Sequence, residues 1–360
     1  MKKRNAAILG ASGYTGGELF RLLHGHPEIS ITVVASSEKS AGQPLSAVFP
    51  HLQSFTSLTL EQVDPYDIAQ KADVIFLALP HTQALQAVAS FVELDKLVID
   101  LSADYRIKDP AVYKEWYNVS HPFPSLLKNA VYGLPEIYRN AIQQARLISV
   151  PGCYPTAAIL QLAPLISSGL IDTSSIIIDA KSGVSGAGRG ANLAYHFPEI
   201  HESIYAYKVG THRHLPEIEQ ELTNISLRSP KTTSTSVSTR NAISFTPHLV
   251  PMNRGILSTA YATLNDSTLA TNWNALYKDF YKNELFIRVF QHPHQVTPNH
   301  VRGSNYCDLS LSYDQRTGRL ISVAALDNLV KGAAGQAIQA MNLALGFPEN
   351  LGLESPGIFP

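Results

Sequence analysis

The first strand of this chain and the glycine-rich turn behind it restrict the fold more than any other stretch. Asn5 to Leu9 is a short apolar run and leads directly into Gly10-Ala-Ser-Gly13-Tyr-Thr-Gly16-Gly17. Helical spacing follows from Glu18 to Leu23, and His26-Pro27 ends it. This order favours a parallel α/β domain that binds a dinucleotide, because glycines let the backbone approach a pyrophosphate at a helix N-terminus. The spacing is GxxGxxG and not strict GxGxxG, so a tight turn without a ligand is the alternative.

The end of the second predicted strand, Ile29 to Ala35, bears on which dinucleotide binds. An NAD site usually places a carboxylate there to hold the ribose hydroxyls. Here Ser36, Ser37, Glu38 and Lys39 follow the strand, and hydroxyls with a lysine suit a 2′-phosphate better. The sequence therefore favours NADP, with Glu38 as the opposing evidence and a solvent-exposed loop as the alternative. The expected cofactor contacts of this half are Gly10, Ser12, Gly13, Tyr14, Thr15, Gly16, Ser36 and Ser37.

A candidate nucleophile lies in Val150-Pro-Gly-Cys153-Tyr-Pro-Thr156. The thiol stands on a Pro/Gly turn, and an apolar segment follows at once. A helix beginning near Pro155 would direct its N-terminal amides and positive dipole end at Cys153, which favours the thiolate. The alternative is a small buried apolar residue, the usual role of a lone cysteine. A turn between two prolines is poorly suited to core packing, so we favour the nucleophile.

Three further stretches carry candidate site residues. The residues before Leu215-Pro216 are typical of a helix start, and a histidine there facing Cys153 would act as the acid/base, with the other one structural. No acidic or thiol partner stands at a metal-ligand spacing from His212 or His214, so we predict no metal. Strand Ile176 to Ala180 opens into a glycine-rich loop whose amides could meet an anion or a cofactor ring, or which could be a flexible surface loop. Arg106 either grips an anionic substrate group or is a surface arginine paired with Asp104.

Length and composition set the frame. At 360 residues the chain predicts two domains, and a net charge of −1 gives no reason to expect nucleic acid or an anionic membrane as a partner. Two cysteines without a CxxC do not form a disulfide framework and favour a reducing cytoplasm. Period-two runs between residues 242 and 325 predict a mostly antiparallel sheet, and Ser226 to Thr239 predicts a surface loop or edge strand.

The expected fold class is an α/β Rossmann domain plus an α+β domain with a large, mostly antiparallel sheet. We place the first domain at residues 1–150 and the second at 151–326. A helix rich in small residues, about 327–346, returns to complete the first domain, and Gly346 and Pro348 should end it.

Six motifs in order resemble the N-acetyl-γ-glutamyl-phosphate reductase family over nearly the whole chain. They are Gly10 to Glu18, Pro151 to Ala157, Ser182 to Gly190, His212 to Ile218, Phe245 to Gly255 and Asn328 to Gly335. The resemblance implies a Rossmann domain with an inserted α+β domain, NADPH, cytoplasmic arginine biosynthesis, and a homodimer or homotetramer. By position Cys153 matches the family nucleophile, and His214, with His212 second, is expected to be its acid/base. Ser185, Gly186 and Asn328 are expected at the cofactor, and Arg106, Tyr154 and Ser182 at the substrate.

The expected reaction is the reductive dephosphorylation of N-acetyl-glutamyl 5-phosphate to the semialdehyde through a thioester on Cys153, with inorganic phosphate released. A related reductase acting on a carrier-bound glutamyl or aminoadipyl phosphate, or on aspartyl phosphate, is the nearest alternative. A regulatory NADP-binding module without chemistry is an alternative from another class. A hydrolytic cysteine enzyme is the third, and it gives the glycine turn no role.

Overall fold

The computed structural model describes residues 3–38, 40–228, 242–266 and 272–359. Lys39 and residues 229–239 of the Ser/Thr-rich stretch lie outside this range. The chain divides into two compact units, one of residues 1–152 and 333–355, the other of residues 153–332 and 356–360. None of the helices in the described part of the chain is long and apolar enough to cross a membrane.

The first unit is built on a seven-stranded sheet in which every neighbouring pair is parallel. Its strands are β1 Arg4–Leu9, β2 Ile29–Ala35, β3 Leu60–Glu61, β4 Val74–Leu77, β5 Leu97–Asp100, β6 Val131–Tyr132 and β7 Leu147–Ser149. Strands β4 and β5 are buried along their whole length, as expected when both faces of a parallel sheet are covered. The order β3-β2-β1-β4-β5-β7-β6 places β1 and β4 where the chain direction across the sheet reverses, and ligands bind at this point in such folds.

Helices connect these strands. They are α1 Tyr14–His24, α2 Leu45–Val48, α3 Pro65–Lys71, α4 Leu85–Glu93, α5 Pro110–Tyr117, α6 Pro124–Asn129 and α7 Pro135–Ile142. Four of them begin behind a capping residue or with a proline in the first turn, for example α3, where the Asp64 carboxylate accepts from the amides of Tyr66 and Asp67. Such caps satisfy amides that have no partner inside a helix.

The second unit holds a second seven-stranded sheet, in the order β12-β13-β14-β11-β8-β10-β9. Its strands are β8 Ile171–Gly183, β9 Tyr205–Ala206, β10 Ser244–Val250, β11 Ile256–Leu264, β12 Ile287–Val289, β13 Cys307–Asp314 and β14 Arg319–Leu326. Only β8 with β10 and β12 with β13 pair in parallel among these described strands. The helices are α8 Cys153–Ser167, α9 Phe197–Ile200, α10 Leu215–Leu227 and α11 Trp273–Phe280. Helix α8 packs on β11, β14 and α10.

The last helix, α12 Gly335–Ala344, follows a π-helical segment at Val330–Ala334. Gly346 stands just past its end at φ +71°, a backbone angle that glycine adopts without strain. Its polar side chains bind within the first unit: Gln336 Nε2 donates to the Gly133 carbonyl at 2.9 Å and Gln339 Nε2 to Glu136 at 3.0 Å. The predicted fold class, a parallel α/β sheet and a mostly antiparallel second sheet, is confirmed.

Candidate active site

Cys153 is the first residue of α8. The helix thus begins two residues earlier than the sequence predicted. Pro155 is compatible with this start, because the first-turn amide that proline lacks would have no partner inside the helix. Cys153 is partly exposed, whereas Cys307 is buried in β13. The thiol therefore stands at the positive end of a 15-residue helix, which stabilises a thiolate.

A cluster of five rings includes Tyr154, the residue after Cys153, and His212 contacts each of the other four rings. The Tyr154 ring centroid is 5.5 Å from that of His212 and 5.9 Å from that of His214. The two imidazoles are 4.8 Å apart, and Phe245 and Tyr207 lie 5.6 and 5.4 Å from His212. Because Tyr154 follows Cys153 directly, this aromatic cluster brings the start of α8 to both predicted histidines.

A chain of hydroxyl groups runs through the cluster. Tyr207 donates to the Tyr154 hydroxyl at 3.3 Å, and Tyr154 donates to the carbonyl oxygen of His248 at 3.2 Å. Burial raises the pKa of both phenols, and the nearby Cys153 raises each pKa further, while a hydrogen bond with Ser182 opposes the shift at Tyr154. Both tyrosines are therefore hydrogen-bond donors at neutral pH, and Cys153 is within electrostatic range of both.

The two histidines have different surroundings. His212 is only 9% exposed, and its Nδ1 accepts from the backbone amide of His214 at 3.2 Å. A neutral His212 therefore carries its proton on Nε2. His214 is half-buried and is the N-cap residue of α10, close to the positive end of that helix.

The glycine-rich loop after β8 begins as a fixed turn. The Gly183 amide donates to the Gly255 carbonyl at 2.9 Å, and the Gly255 amide donates to Asn328 Oδ1 at 2.7 Å. Asn328 Nδ2 in turn donates to Ser185 Oγ at 2.9 Å, and a side chain on Gly186 would begin 3.5 Å from this Nδ2. The predicted cofactor residues Ser185, Gly186 and Asn328 thus lie together. These hydrogen bonds hold the first residues of the loop, whereas Gly186 to Gly190 are exposed.

The turn after β1 is too tight for side chains at two of its glycines. Gly10 has φ +79°, and a Cβ there would be 2.3 Å from the Ala78 carbonyl oxygen. A Cβ on Gly16 would be 2.4 Å from the Gly10 oxygen. No side chain caps the N-terminus of α1, where Gly13 is the N-cap residue, so backbone amides can receive a pyrophosphate there. The geometry therefore fits a dinucleotide.

The other predicted cofactor residues of this unit line the same edge. Ser12 and Thr15 are half-buried and Tyr14 is exposed in the turn. At the end of β2, Ser36 is buried with its hydroxyl donating to the Ser37 carbonyl at 3.3 Å, whereas Ser37 itself is exposed.

Arg106 is buried at 4% exposure, so the surface-arginine alternative is wrong. Its Nη2 donates to the Leu101 carbonyl at 2.8 Å. Beside it, Asp104 accepts from the amides of Thr82 and Ala84 at 2.7 and 3.1 Å, and from Tyr113 Oη at 2.9 Å. This carboxylate holds the loop after β4, where Thr82 has the strained φ of +69°. The sequence indicated Asp104 only as a partner for Arg106.

Sequence reasoning missed Tyr207, Phe245 and Gly332. Tyr207 stands five residues before His212 in a stretch without periodicity, so nothing marked it. Phe245 was read as part of a strand, and only the fold brings its ring to Tyr154, 5.4 Å away. Gly332 lies inside the motif Asn328 to Gly335, but the spacing of residues in the sequence does not predict its contact with Cys153.

Two family models match this chain. One, described as the semialdehyde dehydrogenase NAD binding domain, matches residues 5–145, and the other, the semialdehyde dehydrogenase dimerisation domain, matches residues 153–328. Aspartate semialdehyde dehydrogenase II from Vibrio cholerae has the same fold, with a TM-score of 0.70 at 16% identity over 96% of this chain and 99% of that one. The enzyme from Candida albicans, solved with NADP, gives 0.67 at 18% over 97% and 100%. Fold and matched domains define the semialdehyde dehydrogenase class.

Curated relatives narrow this class. The N-acetyl-gamma-glutamyl-phosphate reductase of Geobacter metallireducens is 54% identical over 99% of this chain and 99% of that protein. The reductase of Desulforamulus reducens is 48% identical over 98% and 99%. The chain belongs to the N-acetyl-gamma-glutamyl-phosphate reductase family, as the six motifs predicted. It is an oxidoreductase with a dinucleotide-binding domain, and its dimerisation domain indicates that it oligomerises.

Proposed function

We propose that the protein reduces N-acetyl-glutamyl 5-phosphate to N-acetyl-glutamate 5-semialdehyde with NADPH, releasing inorganic phosphate, in cytoplasmic arginine biosynthesis. The observation that carries this proposal is the full-length identity of 54% to a reductase of that name. The thiol at the start of α8, next to two histidines of the aromatic cluster, supplies the chemistry such a reaction needs. We further propose a homodimer or homotetramer as the working form.

In the first step the Cys153 thiolate attacks the acyl carbonyl carbon. A C–S bond forms, the bond from carbon to the phosphate oxygen breaks, and a thioester and free phosphate result. The N-terminal amides of α8 stabilise both the thiolate and the negative charge that develops on the carbonyl oxygen. Tyr154 and Ser182 flank this position, and we assign them to the substrate together with Arg106.

In the second step the thioester becomes an aldehyde. NADPH, when bound, supplies the hydride that reduces the acyl carbon. His214 donates the proton that completes the thiohemiacetal on Cys153, and takes a proton back as the C–S bond breaks and the aldehyde leaves. His212 holds the cluster in place, with Nδ1 committed to the His214 amide. Its environment supports the order predicted from sequence, His214 first and His212 second.

For the cofactor we propose the turn residues Gly10, Ser12, Gly13, Tyr14, Thr15 and Gly16 at the pyrophosphate side, Ser36 and Ser37 at the 2′-phosphate, and Ser185, Gly186 and Asn328 in the other unit. We accordingly assign residues 1–150 and the helix near 327–346 to cofactor binding, and residues 151–326 to catalysis and assembly. Tighter binding of NADPH than of NADH in a fluorescence titration is the expected result, and a preference for NADH would contradict the 2′-phosphate assignment.

Replacement of the nucleophile tests the reaction. Cys153→Ser should abolish turnover and leave NADPH binding intact, because the hydroxyl is a far weaker nucleophile at neutral pH. Cys307→Ala, at the buried cysteine of β13, is the matched control and should remain active. A serine variant with substantial activity would refute the mechanism.

Substrate and class are tested by a second assay. Phosphate-dependent NADPH formation from the acetylated semialdehyde is expected, and its absence would favour a module without chemistry. N-acetyl-glutamyl phosphate should give a higher kcat/KM than aspartyl phosphate or a carrier-bound aminoadipyl phosphate. A higher value with either of these would identify a related reductase instead.

A further inference from the structure

Gly332 lies directly against Cys153, the proposed nucleophile, although the two residues are far apart in the sequence. Gly332 is the middle residue of the π-helical segment Val330–Ala334. A Cβ built on Gly332 would lie 2.7 Å from the Cβ of Cys153 and 3.2 Å from its Cα, and real Cβ atoms essentially never approach within 3.0 Å. Gly332 is not among the positive-φ glycines. Lack of space, and not backbone conformation, therefore requires a glycine here.

Hydrogen bonds and buried side chains hold the π-helical segment in place, so it cannot move away from Cys153. The Gly332 amide donates to the Asp327 carbonyl at 2.9 Å. The Asp327 carboxylate is fully buried and accepts from the amides of Leu329 and Gly303 at 2.8 and 2.7 Å. Lys331 is fully buried as well, with its Nζ 5.8 Å from the centre of the Phe286 ring.

Cys153 is constrained from the other side. It is part of α8, and Tyr154 beside it is held by the His248 carbonyl and by the rings of the aromatic cluster. Any side chain at position 332 must therefore push Cys153 out of its place at the helix start. π-Helical turns are frequent at functional sites, and here the turn places Gly332 against Cys153.

We propose that Gly332 is a positioning residue for the nucleophile: its missing side chain sets where the Cβ of Cys153, and hence the sulfur, stands relative to the N-terminal amides of α8. This inference rests on the proposed role of Cys153. Gly332 acts only through Cys153 and does not itself take part in the chemistry.

Gly332→Ala is the first test. The Cβ of Cys153 must move by roughly 1 Å to restore an ordinary carbon contact of about 3.5–4.0 Å. A misplacement of this size costs on the order of 10²-fold in rate. We expect kcat to fall by that factor, while the KM for the acyl phosphate and the NADPH affinity change little.

A purely structural role for Gly332 would not change the reactivity of the Cys153 thiol, so this reactivity is a specific test of positioning. We expect the pH profile of Cys153 alkylation by iodoacetamide to shift upward in Gly332→Ala, since the sulfur leaves its place at the helix amides. Gly25→Ala is the matched control, because the nearest atom to its Cβ would be 3.9 Å away, at the end of α1. A wild-type kcat and pH profile in Gly332→Ala would overturn the proposal.

A double-mutant cycle keeps the test valid if Gly332→Ala folds poorly. Cys153→Gly removes the atom at 2.7 Å, so Gly332→Ala should lower the unfolding temperature much less in that background than in the wild type. Equal losses in both backgrounds would show that the added methyl acts elsewhere and would overturn the proposal. The proposed function fails separately, through an active Cys153→Ser, whatever this cycle gives.

Discussion

At the residue scale, two histidines of one short segment have different surroundings. The Nδ1 of His212 is used as an acceptor by the His214 amide, and rings surround it. His214 is half-buried at the start of α10, where we propose that it acts as the acid/base. Residue type alone could not distinguish these two histidines. Only the folded backbone shows which one lies at the helix start and which one is enclosed by rings.

Replacement of each histidine by glutamine should separate these roles. We expect His214→Gln to lower kcat by about 10²–10⁴-fold, the usual contribution of a positioned acid/base, with little change in NADPH binding. His212→Gln removes a packing ring and should lower kcat less. Steady-state kinetics across pH 6 to 9 measure both. A larger loss in His212→Gln would reverse the assignment.

A second residue-scale effect concerns the buried carboxyl group of Asp100, at the end of β5. Burial, and then the neighbouring Asp104, raise its pKa to about 7. An unfolded aspartate has a pKa of about 4, so between these values the folded chain binds more protons than the unfolded chain. Stability must therefore fall as pH rises through this range, and the full cost of the buried charge is present above pH 7.

Urea unfolding of the wild type should show a loss of roughly 3 kcal/mol between pH 5 and pH 8, because this interval covers about two pKa units of the shift. Asp100→Asn should flatten the pH dependence, because its side chain does not titrate. Asp95→Asn, an exposed aspartate, is the control and should follow the wild type. If the free energy of unfolding of Asp100→Asn still fell with pH as it does in the wild type, the titrating group would not be Asp100.

At the element scale, α8 carries Pro164 in its interior and is nevertheless well bonded. Proline has no amide hydrogen, so the Leu160 carbonyl four residues earlier loses its helical partner. The Tyr281 hydroxyl donates to that oxygen at 2.6 Å. Tyr277 and Ser322 both donate to the next carbonyl, that of Gln161, the latter at 3.2 Å. Side chains in and just after α11 and on β14 thus anchor the helix whose first residue is the proposed nucleophile.

Tyr281→Phe should therefore destabilise the protein by about 1–3 kcal/mol, the cost of leaving a buried carbonyl without its donor. In a Pro164→Ala background the restored amide can bond to Leu160, so the same change should cost less. Urea unfolding measures both, and Tyr66→Phe, 70% exposed, serves as control. A cost independent of residue 164 would show that the tyrosine hydroxyl does not replace the proline amide.

How much of each element the sequence predicts depends on whether its cause is local. The strands β1 and β2 follow from the apolar runs Asn5 to Leu9 and Ile29 to Ala35, and the glycine turn follows from Gly10 to Gly16. The π-helical segment has no period of its own and was not predicted. Tyr207 and Phe245 reach the site only through strand pairing and helix packing across long stretches of sequence. The sequence therefore indicated the proposed reacting groups, whereas the residues that support them were visible only in the tertiary structure.

At the scale of the whole molecule, the first unit is discontinuous: residues 333–355 return to it after the second unit. His26 Nε2 donates to Asn342 Oδ1 at 3.0 Å, while its Nδ1 accepts the Glu28 amide, and Arg139 pairs with Glu349. These buried bonds make the last helix part of the nucleotide-binding fold. In residues 1–152 alone, His26 and Arg139 would lose these partners, Asn342 and Glu349.

A rejoined first unit tests this dependence. Cys153 and Gly332 lie against each other, so a short glycine-serine linker should suffice to join residue 152 to residue 333. We expect this shortened chain to unfold cooperatively and to bind NADPH, and residues 1–152 alone to do neither. Circular dichroism and NADPH fluorescence are the measurements. Cooperative unfolding of residues 1–152 alone would show that the last helix is dispensable.

The pair of cysteines has a further consequence for oxidative damage. Peroxide oxidises a cysteine that is a thiolate and is accessible to solvent. Cys153 is partly exposed, and its place at a helix start favours the thiolate, so it can form a sulfenic acid. A sulfenic acid is usually rescued by a second, resolving cysteine, but the one other cysteine of this chain is buried in β13. Recovery then depends on small thiols from the surrounding solution. In their absence oxidation proceeds to the sulfinic acid, and under the proposed mechanism the loss of activity becomes permanent.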